Sequence, residues 1–162
     1  MNAMNGGDFA DLLCKPATLA CLDVADKPGL LAALAAHVAP FADVPETLIL
    51  ERVREREALG STGFGQGAAI PHARISGLAK TMVVLARLAT PLDYGALDGE
   101  PVDIVVLLLS PEGSAGDHLK ALARISRALR NKDILSALRA AADADALHAA
   151  IDRPLMAGAR AA

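Results

Sequence analysis

The spacing of apolar residues predicts two helices in the first third of the chain. The apolar residues that recur at helical intervals are Leu30, Leu34 and Val38. Asp26, which precedes them, is a suitable N-cap, and Pro28 fits the first turn of a helix. Because proline has no backbone N–H, we expect Pro40 to end this first helix. The second helix is predicted from near Pro45 to Gly60.

A further group of helices is predicted near the end of the chain. Ser114 and Asp117 have the spacing of a capping box, and the helix that follows is expected to reach about Arg130. The apolar stripe of this helix consists of Leu122, Ile125 and Leu129. Two shorter helices are predicted over residues 133–142 and 143–151.

Two apolar runs rich in branched residues have the length of β-strands. Residues 81–88 form the first, and residues 102–109 form a nearly uninterrupted second run, which predicts a central strand covered on both faces. The proline and glycines between residues 91 and 99 predict a turn region, and residues 110–113 are expected to end the central strand. Residues 19–24 resemble a short strand, whereas residues 8–14 fit either a short helix or a strand.

Helices and strands alternate along the chain without an internal repeat. This pattern predicts one α/β domain in which a central sheet has helices on both faces. A chain of 162 residues can bury one sizeable core but is too short for two ordinary domains. We expect the domain to span residues 9–152, between a frayed N-terminus (1–8) and a loose C-terminal tail (153–162).

Composition and charge exclude several classes of function. Aromatic residues make up only 2% of the chain and the net charge is −3, so neither base stacking nor a basic surface for nucleic acid is expected. No apolar run approaches the roughly 20 residues that a membrane-spanning helix needs, and the first residues do not form a signal peptide. Cys14 and Cys21 form neither a C-x-x-C pair nor a disulfide framework. These features predict a cytoplasmic protein that binds neither nucleic acid nor membrane.

The most unusual stretch is residues 56–74, where a charged helix ends and glycines follow at positions 60, 63, 65 and 67. Glycine at this density allows the backbone to turn with positive φ and to approach a ligand closely. Pro71 stiffens the segment that carries His72, and His72 and Arg74 share one face if that segment is extended. If the glycine loop folds back, Arg56 and Arg74 could both approach His72, although a solvated surface is the usual position of such arginines.

His118 is the second histidine of interest. It lies on the apolar stripe of its helix, where a satisfied core histidine is the simpler interpretation. Its place in the first turns of that helix, just after the central strand, also suits a ligand site at the carboxyl end of a sheet. His37 and His148 are interpreted as ordinary surface or boundary residues.

The glycine-rich segment does not match familiar nucleotide or catalytic motifs. It lacks the Lys and Ser/Thr of a P-loop, it does not lie between a strand and a helix as the dinucleotide fingerprint does, and no nucleophile elbow or zinc spacing is present. A metal site on His72 and His118 is the weakest alternative. The remaining groups, which are histidine, arginine, backbone N–H groups and the hydroxyls of Ser61 and Thr62, suit an anion such as a phosphoryl group.

The pattern R-E-x-x-G-S-T-G-x-G-x-G-x-A-I-P-H at residues 56–72 resembles the active-site signature of type-2 IIA domains of the bacterial phosphotransferase system (PTS). This family includes mannitol and fructose IIA domains and nitrogen-regulatory IIA proteins. The resemblance continues through P-V-D-I-V-V-L-L-L-S-P and the helix from His118, and it covers about residues 9–151. Ala73 departs from the family, which usually has glycine after the phosphorylated histidine. The residues of the signature are most similar to those of the nitrogen-regulatory branch.

The resemblance implies a mixed sheet flanked by helices and a phosphotransferase component without a metal or other cofactor. His72 would accept a phosphoryl group from an HPr/NPr-type phosphocarrier protein, with Arg56 and His118 assisting. Ser61, Thr62, Gly63 and Arg74 would form the phosphate environment, and Phe64 would contact the partner or belong to the core. The output could be regulation of a transporter or sensor kinase, transfer to a sugar-specific IIB partner, or phosphorylation-dependent binding without transfer.

Overall fold

The computed structural model describes residues 9–152, which form a mixed sheet with helices packed on it. The strands are β1 (Leu19–Leu22), β2 (Gly63–Gly65), β3 (Ala68–Ala69), β4 (His72–Ile75), β5 (Met82–Leu92) and β6 (Val102–Pro111). The helices are α1 (Lys27–Ala42), α2 (Glu46–Ala58), α3 (Ala115–Leu129), α4 (Lys132–Ala140) and α5 (Ala144–Asp152). Short 3₁₀ turns at Ala10–Leu12 and Lys15–Ala17 precede β1. The predicted termini, 1–8 and 153–162, lie outside the described residues.

Strand β6 is the centre of the six-stranded sheet, whose order is β1-β5-β6-β3-β2. It pairs antiparallel with β5 and parallel with both β3 and β4. In the β4 register, His72 lies opposite Leu108 and Arg74 lies opposite Ser110. The sheet is therefore mixed, as the sequence resemblance implies, and β4 ends beside the carboxyl end of the central strand.

The sheet separates two apolar cores, which confirms the predicted helices on both faces. One core packs α1 and α2 against alternate residues of the strands, including Val105 and Leu107 of β6. The other packs α3, α4 and α5 against the opposite face, including Ile104 and Val106. Because β6 is buried on both faces, its continuous apolar run has the pattern expected of a central strand.

Helix α1 begins as predicted but extends past the predicted end. The Asp26 carboxylate accepts a hydrogen bond from the Gly29 N–H, which confirms the N-cap. Pro40 does not end the helix, which continues to Ala42, and that prediction was wrong. Pro40 lacks an N–H for a helical hydrogen bond and its ring crowds the carbonyl four residues before it, but the burial of Ala42 against the core favours the continued helix. Asp43 then ends α1 in the left-handed conformation, with φ 56°.

The two long strands also extend beyond their predicted limits. β5 continues through Pro91 to Leu92 because Pro91 lies in an exposed, irregularly paired stretch where no ladder N–H is needed. β6 includes Ser110 and Pro111, which pair with the end of β4 instead of breaking the strand. This extension buries Ser110 completely beside the start of α3.

The capping box predicted before α3 is not formed. Ser114 is the N-cap residue, but within residues 9–152 its side chain makes no capping hydrogen bond. Its ψ of 54° departs from the extended conformation of a typical N-cap, and Asp117 is one methylene shorter than the glutamate that completes such a box. In the described part of residues 8–14, Ala10–Leu12 form a 3₁₀ turn and Leu13 forms an isolated parallel bridge with Val83.

Candidate functional site

His72 is held at the start of β4 with one ring nitrogen already bonded. The strand alternates, so that Ala73 and Ile75 are buried in the core while Arg74 on the face of His72 is exposed. The His72 Nδ1 lies 2.8 Å from the Ile70 carbonyl oxygen, which can only accept a hydrogen bond. Nδ1 therefore carries the proton, and Nε2 carries the lone pair.

Arg56 reaches His72 from the last turn of α2. Its Nε lies 3.2 Å from His72 Nε2 and donates to the lone pair, while its Nη1 donates to the Gly60 carbonyl oxygen at 2.9 Å. The turn after α2 thus folds back, as the sequence allowed, and Arg56 is not on a solvated helix face. A guanidinium held at both ends is placed to move onto an anion that binds Nε2.

His118, in the first turns of α3, completes a histidine pair. The His72 and His118 ring centroids are 5.4 Å apart and the rings are tilted by 50°. His118 Nδ1 is 2.8 Å from the Oγ of the buried Ser110. In the tautomer in which Ser110 donates to Nδ1, His118 Nε2 carries a proton that can be donated to an oxyanion.

Both histidines are neutral near pH 7. Burial lowers the pKa of His72, and the Arg56 charge adds to this effect against the raising influence of the Ile70 hydrogen bond and the Glu57 charge. Burial also lowers the pKa of His118 to about 4, with contributions from His72 and Arg74. A neutral imidazole is the nucleophilic form, so this electrostatic setting suits attack by His72 Nε2.

An open cavity of about 500 Å³ lies beside the two histidines. Its lining includes Arg52, Arg56 and Arg74, together with one carboxylate, that of Glu55. The exposed side chains of Leu59 and Leu119 lie at its rim. The excess of positive charge and the exposed apolar groups suit an anionic group presented by a larger partner.

A smaller cavity of about 260 Å³ lies on the other side of His72. Phe64, Thr62 and Gly63 are among its lining residues. Phe64 is half-buried against the core beneath α3, which places it between the two alternatives that the sequence left open. A Cβ at Gly63 would lie 2.6 Å from the Ala96 Cβ, so this turn is too tightly packed for a side chain.

The four residues predicted as the phosphate environment differ in placement. Arg74 lines the larger cavity and donates to the Glu112 carbonyl oxygen at 3.4 Å. The Thr62 hydroxyl is directed to Glu57 at 2.6 Å, and Ser61 Oγ accepts the Gly63 N–H at 3.1 Å. The structure therefore brings Arg74 to the cavity and uses both hydroxyls within the turn.

Sequence reasoning missed Glu57, Tyr94, Lys27 and Ser110. Glu57 belongs to a charged string that is expected to be solvated, yet its side chain is only 6% exposed. Tyr94 is the single tyrosine of the chain and is 1% exposed. A polar or aromatic residue that stands alone beside a motif could have indicated such a role. Ser110, at the end of the apolar run of β6, is an example.

The remaining candidates lie apart from this site. His37 is exposed on α1, and neither His37 nor His148 is among the residues that line the cavities beside His72. Within residues 9–152, no group of three or more His, Cys, Asp or Glu residues is arranged to hold a metal ion. Cys14 and Cys21 are free thiols. In the described part of the chain, no helix has the length and apolar character needed to cross a membrane.

Comparison with known proteins gives a consistent set of relatives. The family model for the phosphoenolpyruvate-dependent sugar phosphotransferase system, EIIA 2, matches residues 12–153. The nitrogen regulatory protein of Bradyrhizobium diazoefficiens is 45% identical over 146 residues, which is 90% of this chain and 95% of that protein. The fructose-specific EIIABC component of Bacillus subtilis is 36% identical over 97 residues, 60% of this chain and 15% of that protein. The crystal structure of nitrogen regulatory protein IIA-Ntr from Neisseria meningitidis is similar with a TM-score of 0.83 and 29% identity, covering 88% of this chain and 97% of that one.

Proposed function

We propose that this chain, which belongs to the EIIA type-2 family of the phosphoenolpyruvate-dependent sugar phosphotransferase system, carries a phosphoryl group on Nε2 of His72. The single observation that supports this acceptor atom is the pair of contacts on the His72 ring. Ile70 accepts from Nδ1 at 2.8 Å, and Arg56 donates to Nε2 at 3.2 Å. The lone pair is therefore on Nε2, the nitrogen that contacts the positively charged guanidinium of Arg56.

The reaction is a displacement at phosphorus. The Nε2 lone pair of His72 attacks the phosphorus of a phosphohistidine on an HPr-type carrier, and the bond between phosphorus and the carrier's nitrogen breaks. The electron pair of that bond remains on the carrier's imidazole, and no proton leaves His72. Catalysis then consists of positioning and charge stabilisation, in which Arg56 moves from the lone pair onto the phosphoryl oxygens.

His118 and Arg74 complete the environment of the transferred group. Arg74 lines the same cavity as His72 and adds positive charge beside the equatorial oxygens. With its Nδ1 bonded to Ser110, His118 donates from Nε2 to one of those oxygens. His118 is held by Ser110 before the reaction, and a donor placed in advance stabilises the developing charge without reorganising.

The carrier is expected to dock on the rim of the larger cavity. Leu59 is 84% exposed and Leu119 is 66% exposed, and both line that cavity. Exposed apolar side chains can be buried against a partner, and arginine is among the residues enriched at protein–protein interfaces. Phe64, at the smaller cavity on the other side of His72, would extend the same contact.

The output of phosphorylation is proposed to be regulatory. The support is the 45% identity to a nitrogen regulatory protein over nearly its full length. In this role the phosphorylation state of His72 alters binding to a transporter, a sensor kinase or another regulator. The match to a fructose-specific EIIABC component favours a second candidate, in which the group passes to a sugar-specific IIB partner.

Labelled phosphoenolpyruvate, enzyme I and an HPr-type carrier test this function directly. Wild-type protein should become labelled in an acid-labile form, and His72→Ala should not. His148→Ala, which changes a histidine outside the site, serves as the matched control and should be labelled like wild type. Adding fructose- and mannitol-type IIB domains then separates the outputs, because loss of label to IIB indicates sugar transport and retained label supports regulation.

A further inference from the structure

Glu57 is a buried carboxylate directly after Arg56. Its Oε2 accepts from Lys27 Nζ at 2.8 Å and from the Thr62 N–H at 2.8 Å. Its Oε1 accepts from the Thr62 hydroxyl at 2.6 Å and from the Tyr94 hydroxyl at 3.2 Å. A buried charge is costly unless donors surround it, and here both carboxylate oxygens accept hydrogen bonds. The Tyr94 hydroxyl also lies 2.9 Å from the Thr62 Oγ, so its single proton is shared between that oxygen and Oε1. The hydrophobic packing of α2 does not require a buried carboxylate, so the contacts of Glu57 need another explanation.

A continuous hydrogen-bond path connects Glu57 to the ring of His72. Glu57 holds both the backbone N–H and the hydroxyl of Thr62. The Thr62 carbonyl oxygen accepts the Ile70 N–H at 3.0 Å, and the Ile70 carbonyl oxygen accepts His72 Nδ1–H at 2.8 Å. The Ile70 carbonyl oxygen, which decides the tautomer of His72, is thus positioned through the bond between Ile70 and Thr62.

The same carboxylate also closes the turn that holds Arg56. Because Glu57 lies in the last turn of α2 and bonds to Thr62, residues 59–61 form a tight loop. The Gly60 carbonyl oxygen in this loop accepts Arg56 Nη1 at 2.9 Å, which orients Nε towards His72. Both nitrogens of the acceptor ring are therefore placed by contacts that depend on Glu57.

We propose that Glu57 is a positioning residue for phosphoryl transfer at His72, and this inference rests on the proposed function. It fixes the ring and Arg56 through Thr62. Its negative charge also offsets the positive charge that the imidazole gains while Nε2 bonds to phosphorus and Nδ1 keeps its proton. In serine proteases a buried carboxylate bonds directly to the catalytic histidine, whereas here the connection runs through Thr62 and Ile70.

Lys27 and Tyr94 support this role. Lys27 neutralises the carboxylate, donates to the Tyr94 carbonyl oxygen at 3.1 Å and lies 4.2 Å from the centre of the Tyr94 ring. Burial raises the pKa of Tyr94, so its hydroxyl remains a donor at all physiological pH values. The Lys27 contact, a hydrogen bond from Thr62 and other donors outweigh burial and keep the pKa of Glu57 low, so the carboxylate stays charged.

The substitution Glu57→Gln tests the role, because it keeps the shape and removes the charge. Glu51→Gln is the matched control, since Glu51 is an exposed carboxylate on the same helix. We expect Glu57→Gln to slow single-turnover transfer from the phosphorylated carrier about 10- to 100-fold, with an unchanged concentration dependence on carrier. The pKa of His72, followed by ¹⁵N NMR, should fall further, because the raising influence of the Glu57 charge is lost.

A rate and a His72 pKa equal to those of Glu51→Gln would overturn the proposal. If Glu57→Gln does not fold, Thr62→Val is the second variant, because it removes the hydroxyl that bonds to Glu57 and Tyr94 and nearly keeps the side-chain shape. We expect a loss of about threefold to tenfold, whereas a wild-type rate would refute the path. The NMR measurement needs no carrier, so it remains decisive if the wild-type protein accepts no label. Failure of the proposed function and failure of this inference are thereby distinguished.

Discussion

The contribution of Arg56 can be predicted from its two contacts. Arg56→Ala removes the donor to His72 Nε2, 3.2 Å away, and the link to the Gly60 carbonyl oxygen. Arg56→Lys keeps the positive charge but removes the planar group that makes both contacts at once. The two variants therefore separate the effect of charge from the effect of geometry.

The magnitude follows from the charge that Arg56 meets during transfer. Two unit charges about 4 Å apart interact by about 4 kcal/mol at an effective dielectric constant of about 20. A hydrogen bond to a charged group contributes about 1.5–3 kcal/mol, and the open cavity screens part of both. We expect a loss of about 2–4 kcal/mol of transition-state stabilisation in Arg56→Ala, which is a rate reduction of roughly 30- to 1000-fold. Arg56→Lys should lose about tenfold.

Rapid-quench measurement of a single turnover from the phosphorylated carrier gives these rates. Arg54→Ala is the matched control, because Arg54 is an exposed arginine on the same helix and is absent from the cavity lining. It should transfer at the wild-type rate within about twofold. An Arg56→Ala rate within about threefold of wild type would refute the assignment of Arg56 to the transition state.

Three further predictions concern the surroundings of the site and the fold. Ser110→Ala should lower the free energy of unfolding in urea by about 1–2 kcal/mol, because it leaves His118 Nδ1 without its hydrogen-bond partner. Ser76→Ala, at an exposed serine, should leave this free energy unchanged. Equal free energies for the two variants would contradict the Ser110–His118 pairing. Acidification from pH 6.5 to 4 should destabilise the protein by about 1–2 kcal/mol after allowance for solvent screening, because the unfolded chain binds a proton that His118, with a pKa of about 4, does not. His118→Gln should reduce this loss of stability at low pH. A pH dependence equal to that of the wild type would contradict the assignment to His118. Pro40→Ala should raise the free energy of unfolding by about 1 kcal/mol by restoring a helical hydrogen bond, and a decrease would show that Pro40 is favourable in α1.

Local rules predicted those parts of the fold that depend on neighbouring residues. The N-cap of α1, the central position of β6 and the shared face of His72 and Arg74 all follow from spacing along the chain. Tertiary packing decided the element ends that differed. Pro40 remains in a helix because the buried residues beyond it outweigh its missing hydrogen bond, and Pro91 remains in a strand because no ladder N–H is needed at its position.

The candidate site divides in the same way. His72, Arg56 and His118 could be selected from the sequence, and the structure brings them together. Glu57 could not be selected, because its burial depends on Lys27 and Tyr94, which lie 30 and 37 residues away in sequence and meet it only in the folded chain. Side-chain donors that come from distant elements leave no periodic pattern in a sequence.

The central claim, that Nε2 of His72 accepts the phosphoryl group, is tested most directly by NMR of the phosphorylated protein. The protein would be labelled with ¹⁵N-histidine, phosphorylated through enzyme I and the carrier, and examined by ¹⁵N and ³¹P spectroscopy with His72→Ala alongside. The account predicts one phosphorylated imidazole, that of His72, with phosphorus bonded to Nε2 and the proton retained on Nδ1. Phosphorus on Nδ1 of His72, or on any other histidine, would contradict it.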